Sequence, residues 1–389
     1  MSQQELHPYG AAARAAWRLD PGVTYLNHGG YGATPASVLA AQEEWRARIE
    51  RNPTAFLARE LPAALRRAAA IVAAALGAAG DDLVFVDNAT SGINAVLRAQ
   101  EFAPGDEIVL TSLAYPAIRN ATRFTAARAG ARVVEAPLPL PIGDDDAVIA
   151  AVAAQLGPRT RLVILDHIAS ASAVVLPVAA LVEMVHRHGA RVLIDGAHAP
   201  GQVALDLPAL GAEWYVGNLH KWYFAPRACG FLWAAPAVQA VLHPLSISHG
   251  LGQGFAAEFD WTGTRDFTSC LAAPAGIEFH RGMGGATLMA RNEALAREAA
   301  ALLARAWDTE AAAPRSMFAA MATVRLPVSG AATVERAQRV VRWLAAGHRI
   351  EAAVSADSGA LWLRIAAQAY NERADYERLA AAVARAALP

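Results

Sequence analysis

Between residues 80 and 235, short runs of β-branched and apolar residues recur, each separated from the next by a stretch whose apolar positions have helical spacing. That alternation is the pattern of parallel strands joined by crossover helices. The runs 83–86, 107–110, 132–135, 162–165, 192–194, 214–216 and 230–233 predict strands. The stretches 116–128, 145–156 and 177–188 predict helices, several opened by the Pro or Asp that favours a helix start. Upstream, 35–50 and 61–76 read as amphipathic helices. After about residue 270, Ala- and Leu-rich helices such as 288–306 mix with two short strands, 323–326 and 361–365. The expected architecture is α/β: a large domain over 21–270 built on a mainly parallel seven-stranded sheet, and a smaller C-terminal α+β domain over 271–389. An N-terminal segment, 1–20, is expected to pack with the small domain. No internal repeat or low-complexity linker interrupts the chain, so the domains are expected to pack closely.

Composition narrows the classes. The 389 residues are 55% hydrophobic and 18% charged, a globular profile with room for two or three domains of about 150 residues. Basic and acidic residues nearly balance, 34 against 35, so no clustered positive field points to DNA, RNA or anionic lipid. No run of about 18 apolar residues predicts a membrane-spanning helix, and the first residues lack a basic then apolar leader; the expectation is a cytoplasmic protein. Cys229 and Cys270 are too few for a disulfide framework and read as small core fillers.

One split of the basic residues says more. Lys221 is the only lysine among the 34. A surface cation can be Arg as readily as Lys, but an amine that must lose its proton and attack a carbonyl cannot, because guanidinium stays charged. Lys221 is therefore a candidate nucleophile; composition alone leaves a chance surface lysine equally open.

Ligands of an open parallel sheet sit beyond the carboxyl ends of its strands. After 83–86 comes Asp87-Asn-Ala-Thr-Ser-Gly92, a polar turn opening a helix whose free amides and dipole suit a phosphate. After 162–165 come Asp166, His167 and Ser170; after 192–194, Asp195-Gly-Ala-His198; after 214–216, Gly217-Asn-Leu-His-Lys221. A phosphate cradle, a buried acid and an amine at one sheet edge together specify a site for pyridoxal phosphate. The amine would form a Schiff base with the aldehyde, and the acid would ion-pair with the pyridine nitrogen and keep the ring an electron sink. Taken singly, Asp195 is as readily a helix cap, and His198 and His220 are as readily core residues. No pair of these histidines has the close spacing and Cys or Glu support of a metal site. Gly250-Leu-Gly-Gln-Gly254 is not expected to open the helix that a dinucleotide fingerprint requires, and no Gly-x-Ser-x-Gly elbow exists.

Asp195-Gly-Ala-His198 followed by Asn218-Leu-His-Lys221 resembles the class V aminotransferase family of fold-type I pyridoxal-phosphate enzymes, and within it the isopenicillin N epimerase-like members. The likeness spans nearly the whole chain. It includes Tyr25-Leu-Asn-His-Gly-Gly-Tyr-Gly-Ala-Thr-Pro35, Asn88-Ala-Thr-Ser-Gly92, Asp166-His-Ile168, His198-Ala-Pro-Gly-Gln202, His220-Lys-Trp222, Trp261-Thr-Gly-Thr-Arg-Asp266, Leu363-Arg-Ile365 and Tyr370-Asn371.

The resemblance implies roles. Lys221 would hold pyridoxal 5'-phosphate and move the substrate's α-proton, and Asp195 would partner the pyridine nitrogen. His198 and Ser170 would sit near the cofactor's phenolic oxygen, with Tyr115 stacked on the ring. The phosphate would be held by the amides of Ala89 and Thr90, the Thr90 hydroxyl, Asn218 and His220, with Thr264 reaching in from the second subunit of a homodimer. Arg364 would grip the α-carboxylate of a small amino-acid-type substrate, and Asn27, His28 and Tyr31 would line its entrance. The implied activity is epimerisation at the α-carbon. A C–S β-lyase acting on a cysteine derivative and an aminotransferase are the alternatives, and a non-catalytic binding protein on the same fold is the rival of another class. Family members often carry Asp-His-Ile-Thr-Ser-Pro-Thr-Gly where this chain has Asp166-His-Ile-Ala-Ser-Ala-Ser-Ala173, a change in the hydrogen bonds near cofactor and substrate. The stretch 351–359 has no cysteine, which argues against a desulfurase that accepts sulfur on a loop cysteine.

Overall fold

A computed structural model describes residues 9–384, so the first eight residues of the predicted N-terminal segment lie outside the described residues. The chain enters with β1 (Thr24–Tyr25) and then forms β2 (Leu83–Val86), β3 (Glu107–Thr111), β4 (Arg132–Ala136), β5 (Thr160–Asp166), β6 (Arg191–Gly196), β7 (Trp214–Asn218) and β8 (Gly230–Ala234). The last seven make one sheet in the order β2-β8-β7-β6-β5-β3-β4, and each of its strands overlaps one predicted run. β4, β3, β5, β6 and β7 pair in parallel, while β8 runs antiparallel to both its neighbours. The reason for that reversal is local. Residues 219–229 return the chain from β7 to β8 without a crossover helix, and parallel neighbours need one. The short return carries Lys221.

β2, β7 and β8 are buried along their whole length, as expected of a sheet covered on both faces. Helices Ala89–Ala99 and Pro116–Ala129 pack on one side with Ile93, Val96 and Ile118, while Leu61–Ala75 and Val178–Arg187 add Leu65, Val72, Leu181 and Val185 to the core on the other. Helix Val178–Arg187 starts one residue inside the predicted stretch because Pro177 serves as its N-cap.

The remaining strands are β9 (Met321–Arg325), β10 (Ile350–Glu351), β11 (Ala353–Asp357) and β12 (Ala360–Ala366). β11, β12 and β9 form an antiparallel sheet in that order, and helix Ala286–Trp307 packs on β9. β1 pairs in parallel with β10, the Leu26 N–H donates to the Glu351 carbonyl, and the Ala366 N–H donates to the Leu26 carbonyl. The stretch before the first long helix, Ala36–Arg51, is thereby sewn to the C-terminal sheet; Trp17 likewise packs edge-on against Phe279 and Tyr370. This clasp carries Asn27 and His28 to the carboxyl edge of the large sheet.

One sequence expectation is corrected. A six-residue helix, Phe255–Asp260, does follow Gly250–Gly254. Its N-cap Gly254 has φ of 101°, which a glycine adopts freely. The strand before it, β8, ends at Ala234 and is separated from the run by the 3-10 turn Pro236–Val241, so the direct strand, turn and helix order of a dinucleotide fingerprint is still absent.

Candidate active site

Beyond Asn218 the chain turns through Leu219 and His220 to Lys221. The N–H groups of Leu219 and His220 both donate to the Cys229 carbonyl, at 3.0 and 3.2 Å. A Cβ on Gly32, whose φ is +70°, would lie 1.9 Å from the His220 carbonyl oxygen, so this approach requires glycine. Lys221 is consequently buried. Its Nζ lies 3.1 Å from Nε2 of His198, and burial, reinforced by the Arg364 cation, pulls its amine from 10.5 to about 7. His198 is pushed well below its usual range by burial and by the neighbouring Lys221 charge, so its ring is neutral at physiological pH. Its Nδ1 is buried without a partner.

Lys221 faces a cleft of about 490 Å³ lined also by Thr90, Tyr115, Asp166, Asp195 and Asn218. Asp195 and Asp166 are direct register partners on parallel strands, and both are buried. Asp195 accepts the Ala197 N–H at 3.0 Å, and burial raises its pKa. Asp166 is raised further by burial and by the Asp195 charge beside it. A buried carboxylate with so little compensation suits a ring cation.

At the other end of the cleft, helix Ala89–Ala99 begins. The Ser91 N–H is capped by the Asn88 side chain at 3.0 Å. The Ala89 N–H, expected to be free for phosphate, instead donates to Oδ1 of Asn218 at 2.9 Å, because the loop from β7 crosses directly over the helix start. Thr90, the Asn218 amide and His220 remain on the cleft wall. Nδ1 of His220 donates to the Cys229 carbonyl at 2.8 Å, which fixes the ring. The amine, the buried acid and the helix N-terminus thus match the aldehyde, pyridine and phosphate ends of pyridoxal phosphate.

A second cavity, of about 270 Å³, adjoins the first and shares Gly30, Tyr31, Tyr115, Ser170 and Lys221 with it. Arg364 lines it from β12. Its Nη2 donates to Oδ1 of Asn27 at 2.9 Å, its Nη1 donates to the Ser170 carbonyl and, at 3.4 Å, to the Ser170 hydroxyl, and its Nε is buried without a partner. These partners are neutral. Burial lowers Arg364 to about 10, which leaves it a cation at neutral pH. Ser170, read beside the cofactor's phenolic oxygen, is therefore also a holder of Arg364.

Tyr31 is 73% exposed and Tyr115 45%, and both stand at the mouth. His28 does not line the entrance. It is fully buried, with Nε2 donating to the Lys221 carbonyl at 3.0 Å and Nδ1 2.8 Å from the Tyr370 hydroxyl. It sits behind the lysine because it opens the short helix His28–Tyr31, which turns its ring inward. Thr264 is exposed between helices Phe255–Asp260 and Thr268–Leu271 and lines neither cavity of this chain. Two residues named in the sequence motifs were given no role there: Tyr370, in the Tyr370-Asn371 pair after the Arg364 strand, and Asp166, at the strand-end position it shares with Asp195. Among the described residues no group of three His, Cys, Asp or Glu side chains could hold a metal ion.

The Aminotransferase class-V family profile matches residues 24–379. Isopenicillin N epimerase of Amycolatopsis lactamdurans is 34% identical over 96% of this chain and 97% of its own. L-cysteine desulfhydrase of Arabidopsis thaliana is 32% identical over 93% of this chain and 87% of its own. Among solved structures, the cystine C–S lyase C-DES in complex with its reaction product cysteine persulfide aligns with a TM-score of 0.79 at 25% identity, covering 94% of this chain and 98% of that one. A C-DES mutant with glycine covalently linked to its PLP cofactor aligns with a TM-score of 0.80 at 26% identity, covering 96% and 99%.

Proposed function

This chain belongs to the class V aminotransferase family of pyridoxal-phosphate enzymes, and on that premise we propose that it takes the α-proton from one face of an α-amino acid and delivers a proton to the opposite face, an epimerisation. The observation that carries the reading is the buried amine of Lys221, held 3.1 Å from a neutral His198 and pulled to about 7. The cofactor, when bound, supplies the electron sink that makes an α-proton acidic. Lys221 would hold the cofactor's aldehyde, and its amine, when free, would accept the substrate's α-proton. A base near neutrality is suited to both capture and return. Asp195 would hold the pyridine nitrogen, and Arg364 with Asn27 would orient the α-carboxylate. Tyr115 supports return of the proton from a second side: it follows β3 while Lys221 follows β7, with β5 and β6 between them, and both line both cavities.

The second reading is β-elimination from a cysteine-type substrate, in which Lys221 takes the α-proton and the sulfur leaves from the β-carbon. It is favoured by the similarity to a cysteine desulfhydrase and to a cystine C–S lyase. Proton NMR in deuterated water separates the two. Loss of the α-proton signal with inversion at an intact carbon skeleton supports epimerisation, pyruvate with ammonia supports elimination, and no change with any amino acid refutes both.

The proposal extends to a homodimer in which Thr264 reaches the phosphate end of a second copy's cleft, a role its exposed loop position permits. It extends also to a cytoplasmic setting, supported by two free buried cysteines. No helix of the described residues is long and apolar enough to cross a membrane.

A further inference from the structure

The second cavity bounds the substrate's side chain. Of the residues that line it, only Arg364 and Lys221 carry formal charge. Both would be engaged by the groups every α-amino acid has: the carboxylate by Arg364, whose buried Nε lacks a partner, and the amino group beside Lys221. Besides Tyr31 and Tyr115 at the mouth, the wall left for the side chain is Ala171 together with Ala353 and Ser355 of β11, while Val354 between them packs on the core. Ala353 is the direct antiparallel partner of Arg364. Side chains so paired stand about 4.5–5.5 Å apart at Cβ, so any atoms added at 353 fill space beside the guanidinium. Nothing on this wall would neutralise a distal carboxylate or ammonium, and because the β11 side of the cavity is half-buried, a charge held there would lose part of its hydration without gaining a partner.

We propose that the substrate is an α-amino acid with a short, uncharged side chain, and that Ala353 is the position that limits its length. This rests on the function proposed above and deepens it. Ser170 and Asn27 hold the fork of Arg364, β12 carries it, and β11 closes the space in front of it.

The test uses the cofactor-loaded full-length protein with L-alanine, L-cysteine, L-methionine, L-glutamate and L-lysine. Binding is read from the change in cofactor absorbance at equilibrium, and α-proton exchange by NMR. The wild type is expected to bind and exchange L-alanine or L-cysteine at least about tenfold better than L-glutamate or L-lysine, a discrimination that contact with a few side-chain atoms can supply. Ala353→Leu should weaken binding of L-cysteine about tenfold or more relative to L-alanine. Ala353→Gly should improve L-methionine relative to L-alanine, and it covers the case in which the Leu variant does not fold. Equal or better use of L-glutamate or L-lysine overturns the inference, as does an unchanged substrate order in both variants. Those results would still show α-proton exchange and leave the parent reading standing, whereas no exchange with any of the five would overturn the two together.

Discussion

His28 donates its Nε2–H to the backbone carbonyl of Lys221 at 3.0 Å and sits 2.8 Å from the Tyr370 hydroxyl, so the lysine's backbone is tied through one ring to the C-terminal part of the chain. Burial lowers His28 to about 4, which fixes a neutral ring whose Nδ1 accepts the Tyr370 proton. His28→Leu would leave two buried polar groups unpaired, at about 1–3 kcal/mol each. The urea midpoint of the apo-protein should fall accordingly, and Tyr370→Phe should cost less because only Nδ1 loses a partner.

Lys221→Arg keeps the positive charge but not the chemistry. Exchange of the α-proton should drop by at least about 10²–10⁴-fold, the usual contribution of a positioned base. Residual exchange near the wild-type rate would assign the base elsewhere.

The pH dependence of cofactor capture follows from the amine. Its pKa is lowered to about 7, so it is protonated and unreactive below that pH and free above it. The rate at which apo-protein takes up pyridoxal phosphate should rise through about pH 7 and level off, where an unperturbed lysine would still be rising at pH 9. Stopped-flow absorbance measures this.

Acid stability has a sign of its own. His28, His167, His220 and His280 are each lowered from 6.5 to about 4 by burial. Between those values the unfolded chain binds protons that the folded chain refuses, so stability contributed above pH 6.5 is lost as pH falls toward 4. Asp166 and Asp195, whose pKa values are raised, oppose this by favouring the folded state at low pH. These four histidines together with His198, which burial also pushes well down, should outweigh the two carboxyls, and calorimetry of the apo-protein should show Tm falling from pH 6.5 to 5.

Arg364→Lys removes a planar fork whose Nη atoms are already occupied by Asn27 and Ser170. A point charge on a flexible stem does not replace it. The KM for amino acids should rise at least about tenfold, about 1.4 kcal/mol, with kcat less affected.

The central sheet was legible because its strands, the half-exposed edge strand β4 apart, are short, apolar and buried on both faces, and strand-end positions then pointed to Asp195 and Lys221. β11 was not legible: each of its five residues is half-buried, so neither alternation nor an apolar run marks it. The direction of β8 depended on the absence of a crossover helix, and the inward turn of His28 on contact with a residue 193 positions away. The Asn218 side chain takes the Ala89 amide across 129 positions, again a contact no local pattern reports.

The most direct measurement is borohydride reduction of the cofactor-loaded protein followed by peptide mass spectrometry. With Lys221 the only lysine in the chain, the account predicts a reduced pyridoxyl group on the peptide that contains it, and none in a Lys221→Ala protein. A label elsewhere, or none on the wild type, would contradict the assignment of Lys221 as the residue that holds the cofactor.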